Sequence, residues 1–128
     1  MSKLRVKIYA DGADLEAMKR MDSENFVSGF TTNPTLMRKA GAKNYKSYAK
    51  KILSICKNKP VSLEVFADEY SGIKKQALEI NTWARNVFVK VPVVNSKGKF
   101  MGKIIKELNV ENIKLNITAV YTAKQTKK

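Results

Sequence analysis

The chain has 128 residues, room for one domain with a real core, and 44% hydrophobic against 28% charged residues is a folded, globular balance. Its formal net charge of +14 suits anionic partners, and the absence of histidine excludes histidine acid–base catalysis, histidine metal sites and serine–histidine triads. No apolar run nears the roughly 20 residues of a membrane span, no apolar leader opens the N-terminus, and the one cysteine, Cys56, fits a reducing cytoplasm.

In chain order, Leu4-Arg5-Val6-Lys7-Ile8-Tyr9-Ala10 alternates and closes on Asp11-Gly12, a strand entering a turn. Asp14 caps the next predicted helix, whose Leu15, Met18 and Met21 share a face. A short second strand ends in Gly29-Phe30-Thr31-Thr32-Asn33-Pro34, with Asn33 read as a turn residue. Asn44 then starts a helix in which Tyr45, Tyr48, Ala49, Ile52 and Cys56 recur at helical spacing, so Cys56 reads as a packed thiol. Gly41 before that helix and Lys59-Pro60 after it punctuate the chain.

The third strand is Val61-Ser62-Leu63-Glu64-Val65-Phe66, and Asp68 or Ser71 opens a helix burying Ile73, Ala77, Ile80 and Ala84. The fourth is Asn86-Val87-Phe88-Val89-Lys90-Val91-Pro92-Val93, a continuous apolar run interrupted by one lysine. Such a run reads as a strand buried on both faces. A lysine there either snorkels its head to solvent at the strand end or is used for its amine. A helix over 99–108 follows, then a fifth strand over 113–120, then Thr122 as the cap of a further helix.

The order βαβαβαβαβ implies parallel strands joined by right-handed crossovers. Asp11, Asn33, Glu64, Lys90 and Asn116 lie at or near the carboxyl ends of successive strands, 22, 31, 26 and 26 residues apart. Each alone has a structural explanation: a helix cap, a turn asparagine before proline, a strand-edge glutamate. Together they converge on one mouth of a parallel sheet or barrel. A doubly wound sheet is the competing architecture, but Ala10-Asp11-Gly12-Ala13-Asp14 lacks the GxGxxG spacing and no P-loop pattern occurs.

A lysine held away from water can attack a ketone and form an imine. The protonated imine withdraws electrons, so the adjacent carbon–carbon bond breaks or forms through an enamine. A carboxylate must move the substrate hydroxyl proton, and a second group must handle the water lost. Asp11 and Glu64 are available for those roles, Asn33 and Asn116 for sugar hydroxyls, and Thr118 for the water. The set is complete for a class I aldol reaction and needs no metal or organic cofactor.

The motifs carry a resemblance. Gly29-Phe30-Thr31-Thr32-Asn33-Pro34-Thr35-Leu36 resembles the Thr-Thr/Ser-Asn-Pro-Ser/Thr signature of the transaldolase family. Val87-Phe88-Val89-Lys90-Val91-Pro92 resembles its Schiff-base strand, Asp11-Gly12-Ala13-Asp14-Leu15 its first-strand motif, and Asn116-Ile117-Thr118 its Asn-x-Thr. The resemblance runs along essentially the whole chain. It implies an incomplete TIM (β/α) barrel of about five βα units, as one domain over 1–128 that stops before the barrel's last three strands.

By this resemblance Lys90 would form the imine, Asp11 would act as acid–base, and Glu64 and Thr118 would bracket the catalytic water. Thr31, Asn33 and Asn116 would contact the dihydroxyacetone unit of a sugar phosphate, placing the chain in carbohydrate metabolism. Related fructose-6-phosphate aldolases carry glutamine at the position of Glu64, so the glutamate favours transfer of a three-carbon unit. Gly12 departs from the family's threonine, Phe30 from a small or β-branched residue, and 93–98 from the family's loop. The family's phosphate-binding residues lie on the last strands. Unpaired sheet edges predict a homo-oligomer or a covering partner. The alternative is a non-catalytic remnant or assembly module, and after it a basic nucleic-acid-binding domain, for which no recognised motif is present.

Overall fold

A computed structural model describes residues 6–120, 122 and 124. Among them are five strands joined by one helix each, or by two between the second and third: β1 (Tyr9–Asp11), α1 (Leu15–Asp22), β2 (Gly29–Thr31), α2 (Pro34–Lys39), α3 (Tyr45–Ile55), β3 (Val61–Glu64), α4 (Tyr70–Asn81), β4 (Val87–Pro92), α5 (Gly102–Val110) and β5 (Leu115–Thr118). All neighbouring strands are parallel and the sheet order is β1-β2-β3-β4-β5. A doubly wound sheet reverses direction at a switch point, whereas this sheet advances one strand at a time. The architecture is therefore an incomplete TIM barrel.

Strand periodicity decides what each face does. Val61, Leu63, Val87, Val89 and Val91 are fully buried against the helices, together with Phe30. Ile52 of α3, Ile73 and Ile80 of α4, and Ile104 and Leu108 of α5 close the same core. Each buried aliphatic side chain contributes about 1.5–3 kcal/mol relative to exposure, so this layer holds the sheet flat against its helices. The other face carries Tyr9 and Asp11, Gly29 and Thr31, Ser62 and Glu64, Phe88 and Lys90, Asn116 and Thr118. Gly29 is required there, since a Cβ would lie 2.5 Å from the Tyr9 ring and 2.9 Å from the Pro60 carbonyl.

Three asparagine or aspartate side chains start helices by accepting a backbone N–H: Asp14 from Ala17, Asn33 from Leu36 and Asn44 from Ser47. Cys56 packs without exposure at the end of α3. Burial, reinforced by the Asp22 carboxylate, pushes its thiol up to about 11, so it is a structural cysteine. Beneath the strands, the Lys59 ammonium donates to the Met21 and Glu24 carbonyls, and the Asn86 amide to those of Cys56 and Lys59. These bonds tie the helix ends to the amino-terminal side of the sheet.

Several expectations are corrected. β4 is not buried on both faces: Val87, Val89 and Val91 are, while Phe88, Lys90 and Pro92 are half-buried. The apolar run reflects a parallel strand lined on one side by helices and facing a barrel interior on the other. Asn33-Pro34 is not a turn but the N-cap and first residue of α2, the arrangement proline favours because its missing N–H needs no partner there. Neither Asp68 nor Ser71 caps α4; the cap position is Glu69, without a side-chain bond. α5 starts at Gly102 rather than near Lys99, because 94–100 fold back through a Val94–Phe100 bridge. Ala84 lies beyond the end of α4. Strands one, three and five are shorter than predicted, and the helix expected after Thr122 lies outside the described residues.

Candidate active site

The strand register brings the polar residues of the inner face into rows. Asp11 pairs across to Thr31 and Thr31 to Ser62, while Glu64, Lys90 and Asn116 form one continuous row on β3, β4 and β5. Thr118 follows on β5, level with Pro92. Lys90 thus stands between a carboxylate and a carboxamide, each one strand away. Its Nζ donates to the Thr32 carbonyl at 3.4 Å, and the side chain is half-buried rather than sealed from water.

Within the row, Glu64 is altered by its surroundings. Desolvation raises its pKa, the Lys90 ammonium opposes that rise, and the Asp11 carboxylate adds to it. Glu64 therefore holds a proton more readily than an exposed glutamate, which suits a group that must both take and return one. Burial is also felt behind it: the Tyr45 hydroxyl donates to the Glu64 carbonyl at 2.6 Å, fixing the end of β3. Across the mouth, the Thr31 hydroxyl donates to Asp11 Oδ1 at 2.8 Å, which orients that carboxylate and leaves Oδ2 available.

The raised pKa of Glu64 has a measurable consequence. In the folded chain it binds its proton more tightly than in the unfolded chain, so this contribution to stability is lost as pH rises from the unfolded value through the folded one. Glu64→Gln is neutral throughout and escapes that loss. Urea unfolding should show the variant gaining on the wild type as pH rises above the usual carboxylate range, with the two converging below it. A gap that does not change with pH would contradict this environment for Glu64.

An open cavity of about 540 Å³ lies at the carboxyl ends of the strands, lined by Asp11, Asn33, Glu64, Phe66, Asp68 and Pro92 among others. It joins three of the seven residues picked out by sequence. Thr31, Lys90, Asn116 and Thr118 do not line it, and Lys90 aims its amine at the Thr32 carbonyl. Asn33 reaches the cavity with its Oδ1 accepting from the Leu36 N–H, which orients the carboxamide and leaves its Nδ2 donors for a ligand.

Two features escaped the sequence reading. The Asp68 carboxylate accepts from both the backbone N–H and the hydroxyl of Ser96, at 2.8 and 2.6 Å, and Asn95 Nδ2 donates to the Asp68 carbonyl. These bonds hold the Asp68 carboxyl below the usual carboxylate range and latch the loop after β4 onto the end of β3. The second is Ser62, almost fully buried on the inner face, whose Oγ accepts from Asn116 Nδ2 at 3.1 Å. Its position two residues before Glu64, on the same strand face, was the available signal.

Among the described residues, no three acidic, cysteine or histidine side chains converge as a cation site, and no helix is long and apolar enough to cross a membrane. The family description "Transaldolase/Fructose-6-phosphate aldolase" matches residues 8–128. A curated protein of Dehalococcoides mccartyi named "Probable transaldolase" is 37% identical over 120 residues, which are 94% of this chain and 54% of that protein. Like-named proteins of Herpetosiphon aurantiacus and Methanococcus vannielii are also 37% identical, with 52% and 53% of their length covered. The chain spans about half the length of these curated relatives.

Proposed function

The chain belongs to the transaldolase/fructose-6-phosphate aldolase family, and on that premise we propose that it supports Schiff-base transfer of a dihydroxyacetone unit between sugar phosphates. The observation that carries this reading is the unbroken row Glu64–Lys90–Asn116 on the inner face, with Asp11 felt electrostatically at Glu64.

In this reading Lys90, having passed its proton to Glu64, attacks the ketose carbonyl through Nζ and gives a carbinolamine. Glu64, working through a water held with Thr118, returns the proton as water leaves and the protonated imine forms. Asp11 Oδ2 takes the proton of the substrate hydroxyl next to the scissile bond. The carbon–carbon bond then breaks, its electron pair flows into the imine as an enamine, and an aldose phosphate departs. The enamine carbon adds to the aldehyde of an acceptor, Asp11 returns the proton to the new hydroxyl, and water hydrolyses the imine to release Lys90. Thr31, Asn33 and Asn116 hold the hydroxyls of the three-carbon unit.

The whole of 1–128 acts as one domain in this proposal. Its inner face is open, and β1 and β5 each have one strand neighbour among the described residues. Association with a second copy or with another chain that covers this face is therefore part of the reading.

Product analysis tests it. A ketose phosphate incubated with an aldose acceptor should give the longer ketose in wild type, whereas Glu64→Gln should shift the products toward free dihydroxyacetone. Production of neither compound by wild type would sink the proposal, and an unchanged product ratio in the variant would remove Glu64 from its role.

A further inference from the structure

Ser62 is a polar residue inside an apolar strand, only 2% exposed, and no step above uses it. Its register neighbours are Thr31 on β2 and Phe88 on β4. Asn116 lies on β5, level with Lys90 rather than with Phe88. The hydrogen bond from Asn116 Nδ2 to Ser62 Oγ, 3.1 Å long, therefore runs diagonally across the inner face of β4, between the Phe88 and Lys90 positions. It joins two strands that are not neighbours and crosses directly beside the amine-bearing residue.

A carboxamide on an open sheet face can rotate and exchange its donor and acceptor ends. With Nδ2 held by a buried hydroxyl, Oδ1 and the second amide hydrogen have fixed directions next to Lys90. We infer that Ser62 is a positioning residue: it orients the Asn116 carboxamide so that this group recognises a hydroxyl on the carbon beside the ketone that Lys90 attacks. The inference rests on the Schiff-base reading of Lys90 and goes further by naming what selects a hydroxyketone over a plain ketone.

Trapping with cyanoborohydride and intact mass separates the two ideas, using dihydroxyacetone and acetone as probes. Acetone reports on Lys90 alone because it has no hydroxyl to recognise. Ser62→Ala should raise the dihydroxyacetone concentration needed for half-maximal labelling roughly tenfold, the worth of one well-placed hydrogen bond, and leave acetone labelling unchanged. Asn116→Ala should raise the dihydroxyacetone concentration by at least as much. The double variant should be no worse than Asn116→Ala alone, since both remove the same interaction. The inference is overturned if Ser62→Ala labels with both ketones as wild type does, if it loses both in proportion, or if the two substitutions add. Wild type that labels with neither ketone would overturn the Schiff-base reading itself, and this inference with it.

Discussion

On the proposed reading, Lys90→Met should abolish three-carbon transfer, lowering product formation by roughly 10³-fold or more, because no other group in the row can form the imine. The fold should survive the change. Lys90 is half-buried and makes one long hydrogen bond, to the Thr32 carbonyl, while β4 is anchored by Val87, Val89 and Val91 on its opposite face. Methionine keeps the length of the stem and its packing against the inner face, so the urea midpoint should move little. Turnover by quantified product, measured beside a urea titration, distinguishes a lost nucleophile from a lost fold. Activity within a few-fold of wild type would show that the reaction uses another of the chain's lysines.

Phe30→Ala should be the most destabilising single substitution, by about 3–5 kcal/mol, which is a large part of the 5–15 kcal/mol typical of a domain. Phe30 has no exposed surface and stands in register with Ala10 on β1 and Val61 on β3, on the helix-facing side of the sheet. Its neighbour Ala10 is small, so the ring fills the space that two larger side chains would share. A lower urea midpoint at unchanged slope is the expected signature. Loss of less than about 1 kcal/mol would mean that the surrounding helices collapse into the vacated volume. Its full burial in register with Val61 marks Phe30 as a packing residue on the helix side, not as part of the row that contains Lys90.

What the sequence could reveal follows from how local each determinant is. Strand–helix alternation and the caps Asp14 and Asn44 depend on near neighbours, and the structure contains them where the pattern put them. The inner-face position of Asp11, Thr31, Glu64, Lys90, Asn116 and Thr118 follows from the period-two strand rule once the register is known. α2 was missed because Asn-Pro serves equally as turn and as helix start, and six residues are too few for periodicity to separate the two. The Asp68–Ser96 latch and the Ser62–Asn116 bond join residues 28 and 54 positions apart, beyond any spacing argument. The half-buried state of Lys90 was likewise invisible, since a run such as Val-Phe-Val-Lys-Val does not say which of its faces a helix covers.

The charge is also clearer with the fold in hand. Two ion pairs among the described residues, Lys46–Glu79 and Lys74–Glu107, both lie between helices and apart from the row that contains Lys90. Pairs of this kind contribute about 0–1 kcal/mol each. These pairs thus add little to the fold, and the net charge of +14 leaves a basic field that favours anionic partners and weakens as salt rises.

The most direct measurement is borohydride reduction in the presence of a ketose phosphate, followed by peptide mapping. The account predicts one reduced three-carbon adduct, carried by the peptide containing Lys90 and absent from Lys90→Met. An unmodified Lys90 peptide under conditions that saturate the mouth, or a label spread over the surface lysines, would contradict it.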